Sequence, residues 1–214
     1  MTATSASKRP AENTDENPGR RRILDAAFSA FMEEGYAGAS TLEIARRARV
    51  SKRELYALVG NKQEMLVACI SSRAERLRAP ADLPEPRDRA TLARILESLG
   101  ARLLSEVSDP TVIGVFRLAI AEAVRAPEVA RALDTIGGET SRATSREIMT
   151  RARSAGLVSG NPALMAEHFA GLLWRNLMLG LLLGVAERPT PNEIARRARE
   201  ATAAFLSIYP QPGV

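Results

Sequence analysis

Two Ser-x-x-Glu runs stand eleven residues apart, Ser40 to Glu43 and Ser51 to Glu54. In such a capping box the serine oxygen accepts a backbone N–H of the first helical turn, and the glutamate reaches back to the serine N–H. Each run therefore starts a helix, and the first helix has room for about two turns before the second begins. Leu42, Ile44, Ala45 and Ala48 give the first an apolar side, Leu55 and Leu58 the second, and Val50 sits in the turn near 49–51. Upstream, Ile23, Leu24, Ala27, Phe28, Phe31 and Met32 recur at three- and four-residue spacing, a helix closed by Gly35. Two short helices packed on a third across a tight turn make a helix-turn-helix.

The polar residues of this unit say what it could face. Arg46, Arg47, Arg49, Lys52, Arg53 and Lys62 meet only Glu43 and Glu54 nearby, and both acids are expected to be consumed as caps. The surface left over is positive, and the formal net charge of +5 for the whole chain suits a polyanionic partner. Ser51 caps a helix whose N-terminus adds free N–H groups and partial positive charge. Lys52 and Arg53 fall in its first turn, where a helix in the major groove meets base edges. Arg53 suits bidentate pairing with guanine, and Lys52 guanine or a phosphate. Tyr56, one turn on, can donate its hydroxyl to a phosphate. Lys62, at the start of the helix opened by the Asn61-to-Glu64 box, is placed for the DNA backbone.

The rest of the chain reads as helix. Residues 1–18 are polar, with almost nothing to bury, and are expected to form a disordered tail. The helix from Asn61 is expected to run to about Ala79, and 79–88, with three prolines, to be a linker. A helix over 88–107 follows. Asp109-Pro110, Asn161-Pro162 and Thr190-Pro191 are each an N-cap with proline at the first helical position. Gly137-Gly138 are expected to kink or break the segment from Pro127 to Ala155. No alternating stretch argues for a strand, so the fold class is all-α, with roughly nine helices. The apolar run over 169–185 carries Arg175 and Asn176 near its middle, which suits burial in protein better than a membrane span. With the single cysteine Cys69 and no signal peptide, a cytoplasmic protein is expected.

From Ile23-Leu24-Asp25-Ala26-Ala27 through Gly35-Tyr36, Ile44-Ala45, Val50-Ser51-Lys52, Leu55-Tyr56 and Lys62, the chain closely resembles the DNA-binding domain of the TetR/AcrR family of bacterial transcriptional regulators. The remaining two thirds resemble the regulatory half of its AefR-like branch. The resemblance implies a homodimer on double-stranded DNA with a palindromic operator, repression as the usual outcome, and release when a small molecule binds the larger domain. It adds Thr41 and Leu42 to the DNA-facing set of Arg46, Arg49, Ser51, Lys52, Arg53, Tyr56 and Lys62. It divides the chain into the tail, a helix-turn-helix domain over 19–64, and a ligand-binding and dimerisation domain over 65–214. Two positions depart from the family: Arg49 stands where glycine is usual in the turn, and Val59 where phenylalanine is usual.

Dimerisation is expected through 162–185, read as one helix, and 191–208, with Gly171, Gly180 and Gly184 allowing close approach. A small hydrophobic effector is expected against Phe116, Met165, Phe169, Trp174 and Met178. Arg117, Glu122, His168 and Arg175 interrupt apolar helices and either orient that effector or pair within the fold. No glycine-rich phosphate loop, nucleophile elbow or zinc spacing is visible, so no enzyme activity, cofactor or metal is expected.

Overall fold

The computed structural model describes residues 17–75 and 85–212. Of the tail expected over 1–18, residues 1–16 lie outside the described residues and Asn17 and Pro18 instead open the first helix; of the linker expected over 79–88, 79–84 lie outside them, as does the expected end of the preceding helix near Ala79. Ten continuous helical stretches account for every regular element described, close to the number expected.

Asn17 caps α1 (Pro18–Gly38), accepting the Gly19 and Arg20 N–H groups, with Pro18 where a helix needs no donor. Gly35 breaks α1 with φ 75° and ψ 165°, so the last residues lead off at an angle into α2 (Thr41–Ala48). The tight turn at Arg49 and Val50 joins α2 to α3 (Lys52–Leu58), and α4 (Lys62–Ala74) follows. Asp88 caps α5 (Arg89–Val107) and Asp109 caps α6 (Pro110–Glu122). At Gly137-Gly138 the structure differs from the expected break. α7 (Pro127–Ala132) runs through a π turn (Leu133–Gly138) into α8 (Glu139–Ser154), so the glycines widen the helix by one residue per turn without ending it.

The expected single helix over 162–185 is two. α9 (Pro162–Trp174) stops at Arg175, whose φ is 44°, and α10 (Leu177–Leu183) starts after Asn176. The Arg175 guanidinium secures the break by donating to the Leu172 carbonyl and pairing with Glu200. α11 (Pro191–Ile208) opens on a complete box in which Thr190 and Glu193 exchange hydrogen bonds.

Two hydrophobic cores result. One joins α5, α8, α9, α10 and α11, with Phe169 edge-on to Phe205 at 5.7 Å, and Gly100 lets α5 approach Leu173 and Ala198 closely. The other is built from α1 to α4 and continues into Val115, Leu118 and Ala119 of α6 and Val129 of α7. The N-terminal helices therefore close their core only with help from the larger half. No helix among the described residues is long and apolar enough to cross a membrane.

Candidate nucleic-acid interface and the cavity behind it

Both serine caps of the helix-turn-helix form as expected. Ser40 Oγ accepts the Leu42 N–H at 3.2 Å, and Ser51 Oγ accepts the Glu54 N–H at 3.0 Å. The glutamate side forms in neither box, and no hydrogen bond runs from the Ser51 N–H to Glu54. Glu43 instead binds Arg46 at 2.7 and 2.8 Å and Arg47 at 2.8 Å. Charge-assisted bonds to guanidinium groups one turn away outcompete a neutral backbone N–H. Arg46, then Arg47, hold the Glu43 carboxyl well below the usual range, at about 2. Arg47 also reaches Glu33 and Glu34 of α1 at 2.7 and 2.9 Å. The expected surplus of cations is thus smaller than the sequence suggested. Arg47 fastens α2 to α1, and Arg22 adds a bond to the Ala48 carbonyl.

What remains outward is one face. Leu42 is 65% exposed, and Arg46, Arg49, Ser51, Lys52, Arg53 and Tyr56 are exposed beside it. The Thr41 and Tyr56 hydroxyls lie 3.4 Å apart, linking α2 to α3, and the Lys52 ammonium stands 5.9 Å from the centre of the Tyr56 ring. The Arg49 and Arg53 side chains make no hydrogen bond or ion pair with another described residue. Arg49 caps α2 in the left-handed region, φ 55° and ψ 46°. Arginine tolerates that conformation less well than the usual glycine, by roughly 1–2 kcal/mol. Val59 is partly buried at the end of α3, on the edge of the same core. Lys62 has a structural task besides its position near this face. Its ammonium donates to the Ala37 and Ala39 carbonyls, both at 3.2 Å, and lies 4.8 Å from the centre of the Tyr36 ring.

Behind this unit lies a cavity of about 580 Å³, inside the range of small-molecule sites. Phe116, Trp174 and Met178, three of the nine candidate effector residues, line it. The other six candidates are elsewhere. Met165 and Phe169 are fully packed in the core of the larger half. Arg117 reaches away from the cavity and caps α10, donating to the Leu181 and Leu182 carbonyls at 2.8 and 3.0 Å. Arg175 secures the break between α9 and α10. His168 is exposed, with Nδ1 2.5 Å from the Tyr209 hydroxyl. Glu122 is buried against α1 and accepts the Ala37 N–H at 3.3 Å. The alternative of pairing within the fold therefore describes Arg117 and Arg175.

The residues that sequence reasoning missed come from α1. Arg20, Arg21, Leu24 and Asp25 form one wall of the cavity, facing Val112 and Val115 of α6. Nothing in their local pattern separates them from an ordinary solvated helix face. Ile70 and Ala74 of α4 and Leu133 and Gly137 of the π turn complete the enclosure.

Known proteins carry the same arrangement. Residues 23–69 match the family described as bacterial regulatory proteins, tetR family, and residues 94–211 match the AefR-like transcriptional repressor C-terminal domain. The chain is 23% identical over 189 residues to the HTH-type transcriptional regulator YvkB of Bacillus subtilis, covering 88% of this chain and 96% of that one. Among solved structures, it is similar to a TetR-family transcriptional regulator of Mesorhizobium loti, with TM-score 0.73, 28% identity, and 92% and 98% of the two chains covered. It is also similar to the flavonoid-responsive regulator FrrA, with TM-score 0.75, 27% identity, and 92% and 98% covered.

Proposed function

The chain belongs to the TetR family of DNA-binding transcriptional regulators, and from that premise we propose that it is a repressor released from a palindromic operator by a small hydrophobic effector. The observation that carries this reading is the exposed start of α3, where Lys52 and Arg53 point outward beside Arg49 and no acid among the described residues pairs with Arg53. Arg53 reads guanine, Lys52 a base or phosphate, and Arg46, Arg49, Ser51, Tyr56 and Thr41 hold the DNA backbone, with Leu42 against the groove wall. Lys62 adds a backbone contact through the donor capacity its two carbonyl bonds leave.

One α3 reads too few base pairs for useful specificity, so the reading requires two copies. A surface for the second copy is available on the last helices. Leu164, Leu179, Leu183 and Ile208 are exposed there, with Val185 just after α10, and a side chain at Gly171 would meet open space. Gly180 and Gly184 serve the chain itself, the first against Ala186 and the second as the left-handed cap of α10. The division at 64/65 then separates reading from regulation, although the two parts share a core.

The cavity is the proposed effector site, with Phe116, Trp174 and Met178 as its apolar lining. The description of the matched C-terminal family as a repressor supports the sign of regulation. The name of FrrA supports aromatic compounds such as flavonoids as first candidates for the effector. Selection of binding sequences from a random duplex pool tests the central claim. A palindrome with half-sites about 34–36 Å apart is expected. Failure to enrich any sequence would overturn the reading.

A further inference from the structure

A second hollow, of about 560 Å³, lies between α1 and the end of α2. Arg22, Asp25, Ser29 and Glu33 form its α1 side, and Arg47 to Arg49 the other. Its charges fall into two groups. Arg47 is engaged by Glu33, Glu34 and Glu43. Arg22 is held by one bond only: its Nε donates to the Ala48 carbonyl at 3.2 Å, and its other two nitrogens bond to no described residue. The Arg49 side chain bonds to none. Ala48 and Arg49 are consecutive, so the fold pins one guanidinium at the root of another. Like charges held side by side repel, and an anion between them turns that repulsion into a paired grip.

The remaining charge in the hollow says which anion fits. Asp25, one turn along α1 from Arg22, makes no hydrogen bond or ion pair with a described residue. Two unpaired cations against one unpaired acid leave an excess of a single positive charge. A phosphodiester carries one negative charge and offers two unesterified oxygens, whereas a phosphomonoester carries nearly two charges. Arg22, Asp25 and Arg49 are all exposed, so a long polymer can reach them. Arg49 also stands three residues before Lys52, the first residue of α3, so a strand passing the start of α3 passes the hollow next.

We propose that Arg22 and Arg49 clamp one phosphodiester of the operator backbone, so that α1 grips DNA together with α2 and α3. This rests on the DNA reading of α3 given above. Arg22 stands outside the DNA-facing set drawn from sequence, because only the bond to the Ala48 carbonyl brings it beside Arg49.

The test uses the full chain and the duplex recovered by the selection experiment, with one phosphate at a time replaced by an uncharged methylphosphonate. In the wild-type protein, neutralising the clamped phosphate should weaken binding about tenfold. In Arg22→Gln the same replacement should cost only about threefold, and Arg49→Gln should single out the same phosphate. Each variant is compared with itself on intact and neutralised duplex, which removes any general loss of stability from the answer. The slope of log affinity against log salt should also become shallower in Arg22→Gln, by about 0.9 for each copy bound. Should Arg22→Gln fail to fold in thermal unfolding, Asp25→Asn carries the test with the opposite sign. Removing that acid should tighten binding to the intact duplex about threefold and leave the neutralised duplex unchanged. An unchanged salt slope, no phosphate that separates wild type from Arg22→Gln, different phosphates for the two arginines, or equal effects of Asp25→Asn on both duplexes overturns the clamp while leaving base reading by Arg53 intact. A selection that recovers no sequence removes the DNA reading and takes the clamp with it.

Discussion

Arg49 ends α2 with φ 55°, and Arg175 ends α9 with φ 44°; among the described residues these are the non-glycine positions with positive φ. In the larger half the side chain explains the backbone. Arg175 donates to the Leu172 carbonyl and pairs with Glu200 of α11, so contacts within the fold offset the left-handed turn and fix where α9 gives way to α10. In the helix-turn-helix the side chain explains nothing inside the molecule. Arg49 points outward, and no described residue takes its guanidinium. The left-handed backbone itself closes α2, with the Arg49 N–H bonding the Ala45 and Arg46 carbonyls, and the side chain is left for the DNA contact proposed above. The same residue type at the same kind of position is a brace in one half and an offered contact in the other.

The sharpest way to break this contrast lies at the outward face. Arg53→Ala should cost about 1–3 kcal/mol of operator binding, roughly 5- to 150-fold, and little of non-specific binding. Equal losses on operator and random duplex, by fluorescence anisotropy, would make the face a general anion surface. The two arginines themselves come next. Arg175→Ala should lower unfolding stability by about 1 kcal/mol, because a cap and an ion pair go while the strained backbone stays. Arg49→Ala should leave stability within about 0.5 kcal/mol, as for a side chain without partners, and weaken DNA binding. Equal stability losses in urea melts would erase the distinction. Arg49→Gly should raise stability by about 1 kcal/mol and still weaken DNA binding; a drop in stability would mean that the arginine has an internal role.

The smallest effect expected is acid titration of the brace between α1 and α2. The Glu43 carboxyl sits at about 2 in the folded chain against an ordinary 4.5. Its contribution is therefore complete above pH 4.5 and is lost as pH falls from there through about 2. The melting-temperature difference between wild type and Glu43→Gln should shrink over that window. A difference independent of pH would show that Glu43 acts through packing alone.

How much of this was legible depends on how local each feature is. The serine caps, the prolines at Pro110, Pro162 and Pro191, and the three- and four-residue spacing in α1 act within one or two turns, so the all-α fold and the helix starts followed from the residues in order. The interruption at Arg175-Asn176 was visible as two polar residues, but whether they line a cavity or end a helix depended on Glu200, twenty-five residues away. Phe116, Trp174 and Met178 line the cavity, whereas Met165 and Phe169, of the same apolar character, turn into the core. Helical periodicity says that a residue is on a buried face and not which of two buried spaces that face meets.

The sequence by itself determined the family, the helix starts, the serine caps and the outward basic start of α3, because those rest on backbone hydrogen bonding and side-chain spacing along one helix. Only the tertiary structure decided who pairs with whom. It gave Glu43 to two arginines, turned Arg117 away from the cavity to cap α10, and brought Arg20 and Arg21 of α1 to the cavity wall. It also set the carboxyl of Glu122 and the ammonium of Lys62 on opposite sides of one residue. Those choices depend on distances between segments far apart in the chain, and a charged group settles wherever the packed helices offer its best compensation.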